Sequence, residues 1–400
     1  MNADIEKLYA ISKKPVIKII GLMSGTSLDG LDVALCSFEG NGLQTKIELL
    51  QFITVAFDEE FKKEIKTIFS KKNIDLEKLC LLNPRVALKH AGIINDCLKK
   101  WNVNKDEVDL IASHGQTIYH APKSLHGQTN FGNATLQIGD GDHLAVETGI
   151  ITISDFRQKH IAAGGEGAPL AVYGDYLIFG KPGEDRILLN IGGIANFTYL
   201  PGNMKSAEIF STDTGPGNTM MDALVQQHFS GKYFDEGASL ALKGKVNSAL
   251  LIALKENNFF QKPFPKTTGP ELFNLDYLQL AKEKSLTQAI SIEDSMATLN
   301  KFSADTIIEA ILQATDKNKN YKIFSSGGGM HNPLLMQHLK DALPHFSFST
   351  TAELNINPDA KEAVLFAVLA NECICGNGSY LQKNIEGMPA VSMGKISFPG

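Results

Sequence analysis

Cysteine is sparse and unpatterned in this chain: five residues, at 36, 80, 97, 373 and 375, with no C-x-x-C pair. An odd count without paired spacing, in a chain too long to need staples, excludes a disulfide framework and predicts a reducing, cytoplasmic setting. Cys373 and Cys375 offer two metal ligands at most, and the sequence around them reads as a helix end. Positive charge is not in excess. Thirty-eight Lys and Arg stand against 44 Asp and Glu, a net charge of −6, so no overall field exists to gather nucleic acid or anionic lipid. Long apolar runs are also missing. The first, Val16 to Met23, is short and broken by Lys18, and nothing before it has the charged-then-apolar-then-small order of an export signal. Neither an export nor a membrane segment is expected.

What is present is an ordinary globular composition, 43% hydrophobic and 20% charged, over 400 residues. At roughly 150 residues per domain that is two to three domains. After a polar, helix-prone extension over 1 to 14, Val16 to Gly21, Leu31 to Phe38 and Ile47 to Phe57 read as strands. Helical periodicity follows at about 59 to 70 and 76 to 101, then a short apolar run ending at Ala112-Ser113-His114. A strand at Thr135 to Ile138, a helix near 142 to 148, a strand at Ile150 to Ser154 and a helix near 168 to 180 complete the first half. The charged turn Gly180 to Arg186 sets a boundary near 182. Beyond it the opening order recurs: strands at Ile187 to Ile191, Asn196 to Leu200 and Ala207 to Phe210, helices from about 217 to 315, a strand at Lys322 to Ser325 and a helix from 333. Two halves on one plan point to duplication, although no short repeat period exists. Asn357-Pro358-Asp359 predicts the start of an apolar helix covering Ala363 to Leu369.

Glycine clusters fall where strands give out, so each exposes backbone N–H groups able to cradle an anion. Gly25-Thr26-Ser27-Leu28-Asp29-Gly30 adds two hydroxyls and a carboxylate, suited to polyphosphate with a hydrated Mg²⁺ held by Asp29. Asn190-Ile191-Gly192-Gly193 occupies the corresponding turn of the second half. Gly327-Gly328-Gly329 leaves no side chain in the way of a base or ribose, with Asn332 and Pro333 opening the next helix. A G-x-x-x-x-G-K-[ST] loop is absent, and the G-x-G-x-x-G fingerprint fails at Leu144 and Leu170. Without a G-x-S-x-G elbow, acyl-hydrolase chemistry has no anchor either.

Two polar constellations remain. Ser211-Thr212-Asp213-Thr214-Gly215-Pro216-Gly217-Asn218 places Asp213 at a strand end, where a carboxylate can act as a general base or serve as a turn residue. Ser113-His114-Gly115-Gln116-Thr117 suits a hydroxyl-rich ligand, and Arg157, with the small residues from Ala162 to Leu170, adds a cation and a backbone nest for a carboxylated or acetylated sugar.

With these residues in view, the chain resembles the anhydro-N-acetylmuramic acid kinases of the actin, sugar kinase and Hsp70 ATPase superfamily. The likeness runs from about 17 to 398, through Gly21 to Asp32, Ser113 to Thr117, Leu136 to Asp140, Leu189 to Asn196, Asp213 to Asn218 and Gly327 to Gly329. Lys266 to Gly269, Phe273-Asn274 and Glu362 also fall where that family has similar residues. The resemblance implies an α/β fold of two duplicated actin-like ATPase (ribonuclease H-like) domains flanking a central cleft. The first lobe would hold 15–182 with about 360–400, and the second 183–359. It implies an ATP- and Mg²⁺-dependent kinase in which water opens the 1,6-anhydro ring while O6 takes the γ-phosphoryl group, in cell-wall recycling. Asp213 matches the family's base. Gly25 to Gly30 with Leu31 and Asp32, Asn190, Gly192, Gly193, Gly215, Gly217, Asn218 and Gly327 to Gly329 would hold the nucleotide. Ser113 to Thr117, Arg157 and Glu362 would line the sugar side, and a homodimer is expected. Near that pocket the chain departs from the family pattern: Gln158-Lys159-His160 replace a basic pair and an aspartate, and Glu166 replaces a glutamine. An ordinary sugar kinase, or a non-catalytic nucleotide- or sugar-binding regulator on the same fold, are the alternative readings.

Overall fold

The computed structural model describes residues 2–168, 170–205, 208–316, 318–354, 357–376 and 389–400; Ala207, named above, and Pro169, within the segment Ala162 to Leu170, lie outside them. The chain divides into two compact units, Met1–Phe179 with Asn355–Gly400, and Gly180–Leu354. Unit 1 carries β1 (Ile17–Ser24), β2 (Gly30–Glu39), β3 (Lys46–Ala56), β4 (Leu110–Ala121), β5 (Ala134–Ile138) and β6 (Thr152–Ser154). Unit 2 carries β7 (Asp185–Ile191), β8 (Ile194–Leu200), β9 (Phe210–Pro216), β10 (Tyr321–Ser326) and β11 (Phe346–Thr350), after which β12 (Lys395–Ser397) returns to unit 1.

The two sheets repeat one topology. In unit 1 the order is β12-β6-β4-β1-β2-β3, with β5 paired to β4. The β1–β2 and β2–β3 pairs are antiparallel, while β1–β4 and β4–β6 are parallel. In unit 2 the order is β11-β10-β7-β8-β9, with β7–β8 and β8–β9 antiparallel and β7–β10 and β10–β11 parallel. Strand for strand, β1, β2, β3, β4 and β6 correspond to β7, β8, β9, β10 and β11, the plan of a duplicated ribonuclease H-like fold.

The interior strands are buried along nearly their whole length because helices cover both faces. In unit 1, Ile20, Leu22, Val33 and Ile111 meet Val86, Ile94 and Leu98 of the helix Leu76–Trp101. On the other face β1 lies so close to the helix Lys361–Cys375 that a Cβ at Gly21 would fall 1.9 Å from the Ala363 carbonyl oxygen. Glycine there is what lets the last helix dock. Among the described residues, unit 2 has two apolar clusters. Ile187, Leu189 and Phe197 pack with Ile307, Ile311 and Leu335, while Phe259, Phe273 and Phe302 pack with Met220, Leu224 and Leu250. Each such side chain contributes about 1.5–3 kcal/mol on burial.

Several expectations shift. The strand expected at Ala207 to Phe210 runs instead from Phe210 to Pro216, so Asp213 lies within β9 and not at its end. Pairing with β8, which sets Asn196 opposite Asp213, overrides the turn-like composition of the segment. Likewise Ser113 to Thr117 does not end a strand: β4 continues to Ala121, with a positive φ at Gly115 and an irregular register absorbing the bend. Phe156–Ala162 is a helix that short periodicity did not reveal, and β11 and β12 were also missed. The last helix begins at Lys361 after a 3-10 turn, Pro358–Ala360, and Asn357 caps that turn by accepting the Asp359 N–H at 3.0 Å. Among the described residues, no helix is long and apolar enough to cross a membrane.

Candidate functional site

In unit 1 the turn from Gly25 to Gly30 joins β1 to β2 and is closed by the Leu28 N–H donating to the Gly25 carbonyl at 3.3 Å. Leu28, at φ 60°, turns its side chain into the core and leaves Thr26, Ser27 and Asp29 exposed. Leu31 is fully buried inside β2, where it faces Val55 of β3, so contrary to expectation it presents no surface to a ligand. Asp32 accepts the Thr54 hydroxyl at 2.5 Å, and burial, with the charge of Asp359 adding, raises its carboxyl above the usual range.

The β4 segment builds a polar interior. Arg157, in the helix Phe156–Ala162, donates from Nε to His114 Nε2 at 3.0 Å and from a terminal nitrogen to the Gly167 carbonyl at 2.7 Å. With Nε2 accepting, the imidazole proton sits on Nδ1, which faces the Gly115 carbonyl at 2.9 Å. Burial, with the adjacent guanidinium, lowers His114 to about 3, so this histidine is neutral. Ser113 accepts the Gly115 N–H at 3.2 Å, and Thr117 accepts from Gln137 at 3.2 Å. Glu362, in the first turn of the last helix, has its carboxyl raised by the protein packed around it; Arg157 and Lys361 pull it the other way. Ser113, His114 and Gly115 line a cavity of about 370 Å³ with Gln137, Asp140 and Ser154, none of which the sequence singled out for it; Arg157 and Glu362 are not on its wall.

The positions that depart from the family pattern are held within unit 1. His160 is buried, accepts the Gly167 N–H on Nδ1 at 2.9 Å and meets the Tyr173 ring edge-on. Gln158 donates to the Thr135 carbonyl at 2.6 Å, whereas Lys159 and Glu166 are exposed.

In unit 2 the three expected glycine segments converge. Gly217 and Asn218 donate their N–H groups to the carbonyls of Gly193 and Gly192, each at 2.8 Å, and the Asn218 side chain donates to the Ile191 carbonyl at 3.4 Å. Gly327, at φ 81°, presses against the same turn: a Cβ would stand 2.7 Å from both Asn190 Oδ1 and the Ile191 carbonyl oxygen. Gly215 lies one residue before the end of β9, and Gly329 is packed against Ile191. Gly328 stays open, and with Asn218 it lines a cavity of about 450 Å³ whose other walls include Met221, Phe234, Asp222 and His331. Burial raises the Asp222 carboxyl to about 6. Its i+4 spacing from Asn218 was the signal available in the sequence.

Asp213 is half-buried. Its N–H donates to the Lys266 carbonyl at 2.9 Å and its Oδ2 accepts the Thr268 N–H at 2.8 Å. Its other oxygen has no partner among the described residues. Burial raises this carboxyl, Glu271 adds to the shift and the Thr268 bond opposes it.

Residues 17–399 match the sequence model of the anhydro-N-acetylmuramic acid kinases. A relative of that name from Pseudoalteromonas atlantica is 57% identical over 400 residues, covering both chains fully. Another from Pseudoalteromonas translucida is 54% identical over 399 residues, also covering both chains. One from Caldanaerobacter subterraneus is 39% identical over 395 residues, 98% of this chain and 100% of the relative.

Proposed function

The chain belongs to the anhydro-N-acetylmuramic acid kinase family, and from that premise we propose that Asp213 is the base that activates water against the anhydro-sugar. The observation that carries this is the state of the carboxylate: one oxygen is fixed by a backbone donor, the other has no partner among the described residues, and burial makes the group more basic.

In this reading Asp213 removes a proton from water as the water oxygen bonds to C1. The C1–O6 bond breaks, and O6 takes the γ-phosphoryl group of ATP with ADP leaving. The products are N-acetylmuramic acid 6-phosphate, ADP and the proton, which Asp213 then releases. The glycine segments of unit 2, with the cavity beside Gly328 and Asn218, suit a nucleoside because no Cβ obstructs that floor. The exposed hydroxyls and backbone of Gly25 to Gly30 suit the phosphates. Ser113 to Thr117 and Arg157 supply polar contacts for the sugar, with Glu362 beside them.

Bound Mg²⁺ supplies neutralisation of phosphate charge. Among the described residues no three His, Cys, Asp or Glu cluster as a metal cage, so the fit is to a hydrated ion held chiefly by phosphate. Asp29, exposed and free of side-chain partners among the described residues, is the carboxylate that would reach it.

The test is product formation from 1,6-anhydro-N-acetylmuramic acid and Mg-ATP in ¹⁸O-water. Label at C1 of the 6-phosphate is expected; a phosphorylated product without label would mean an ordinary sugar kinase. Asp213→Asn is expected to bind a non-hydrolysable ATP analogue normally while kcat falls about 10²- to 10⁴-fold.

A further inference from the structure

β9 is the outermost strand of its sheet, yet its exposed edge is partly paired by a segment at Lys266, 54 positions beyond Thr212. The Asp213 N–H donates to the Lys266 carbonyl, and the Lys266 N–H donates in turn to the Thr212 hydroxyl at 3.0 Å. Two residues on, the Thr268 N–H reaches Asp213 Oδ2. Asp213 is thus gripped through both backbone and side chain by one short turn, Lys266 to Glu271.

That turn is itself anchored. Lys266 is buried, its ammonium donates to the Phe259 and Phe260 carbonyls at 3.3 Å each, and it lies over the Phe259 and Phe264 rings. Its charge is spent there and not on Asp213. At the other end a Cβ on Gly269 would come within 2.1 Å of Glu271 Oε2, so only glycine lets the Glu271 carboxylate fold back over the turn. Asn196, the cross-strand neighbour from β8, is uncharged. Glu271 is the charged group that acts on Asp213.

We propose that Thr268 and Glu271 are positioning residues for the Asp213 base: the Thr268 N–H holds one carboxylate oxygen so that the other is left to meet the water, and the Glu271 carboxylate folds back over the same turn. The proposal rests on Asp213 being the base. A bond to the ionised form favours ionisation and a neighbouring negative charge opposes it, so the two residues work in opposite directions on one titration.

The experiment compares the pH dependence of kcat for Thr268→Pro, which deletes the N–H donor, and Glu271→Gln, which deletes the charge, on full-length protein with the anhydro-sugar and Mg-ATP. Thr268→Pro is expected to lower kcat about 10- to 100-fold, the loss of a charge-assisted hydrogen bond, and to move the acid limb to higher pH. Glu271→Gln, an exposed change that spares the fold, is expected to move the acid limb to lower pH with the KM for ATP unchanged. Circular dichroism and ATP-analogue binding check that Thr268→Pro is folded; if it is not, the Glu271→Gln shift decides alone. An acid limb left at the wild-type position in Glu271→Gln, or moved to higher pH, overturns the proposal. Asp213→Asn separates the two readings: an inactive Asp213→Asn beside an unshifted Glu271→Gln refutes the positioning role alone, whereas an active Asp213→Asn refutes the base.

Discussion

Ser24 donates its hydroxyl hydrogen to Gln116 Oε1 at 2.5 Å, and the Nε2 of Gln116 donates to the Gly25 carbonyl at 3.2 Å. Ser24 ends β1 and Gln116 lies in β4, its parallel neighbour, so one amide ties the start of the glycine turn to the segment read as the sugar side. Both residues are buried from bulk solvent.

Gln116→Leu removes both bonds and leaves the Ser24 hydroxyl stranded. The cost expected is about 1–3 kcal/mol in urea unfolding, and the KM for ATP should rise because the turn loses its brace. Normal stability together with an unchanged KM for ATP would show that the brace does not matter.

His90 carries a pH-dependent penalty. Its ring is buried in the apolar core of unit 1, stacked on Phe57, with neither nitrogen hydrogen-bonded among the described residues. Burial lowers its pKa from the ordinary imidazole value of 6.5 to about 4, and His114 is lowered to about 3. The unfolded chain therefore binds protons between pH 6.5 and about 4 that the folded chain refuses. The His90 contribution to stability is expected to be full above 6.5 and to be lost as pH drops through that window. Replacing His90 by Leu should shrink the difference between urea midpoints at pH 7 and pH 5; an unchanged difference would place the proton-linked loss elsewhere.

At Gly327 a methyl group meets both a positive φ and two oxygen atoms. Gly327→Ala is expected to cost about 1–3 kcal/mol of strain and to weaken binding of an ATP analogue, because the Gly327 and Asn190 turns must separate. Calorimetric titration reads the affinity and a thermal melt reads the strain. Wild-type values in both would mean that the close approach is not needed.

Much of the fold could be read along the chain because its signals are local. Alternating and continuous apolar runs marked β1, β2, β3, β7, β8 and β10, and Asn332 with Pro333 marked a helix start that the structure places at Pro333. The repeated element order suggested duplication, which the matching strand orders of the two sheets bear out. Signals failed where pairing outweighs composition. Ser211 to Pro216 looks like a turn but becomes an edge strand because β8 and the Lys266 turn satisfy its backbone. The three-residue β12 carries too short a pattern to be seen without its partner β6.

The sequence by itself determined most of the element order, the glycine turns and the family, since each rests on residues adjacent in the chain. Only the tertiary structure decided which nitrogen of His114 bears the proton, that Gly192, Gly217 and Gly327 belong to one surface, and that Asp213 is held by Thr268. Those facts depend on groups tens to more than a hundred positions apart, brought within hydrogen-bonding distance by sheet pairing and core burial, and no local pattern of residues records such a distance.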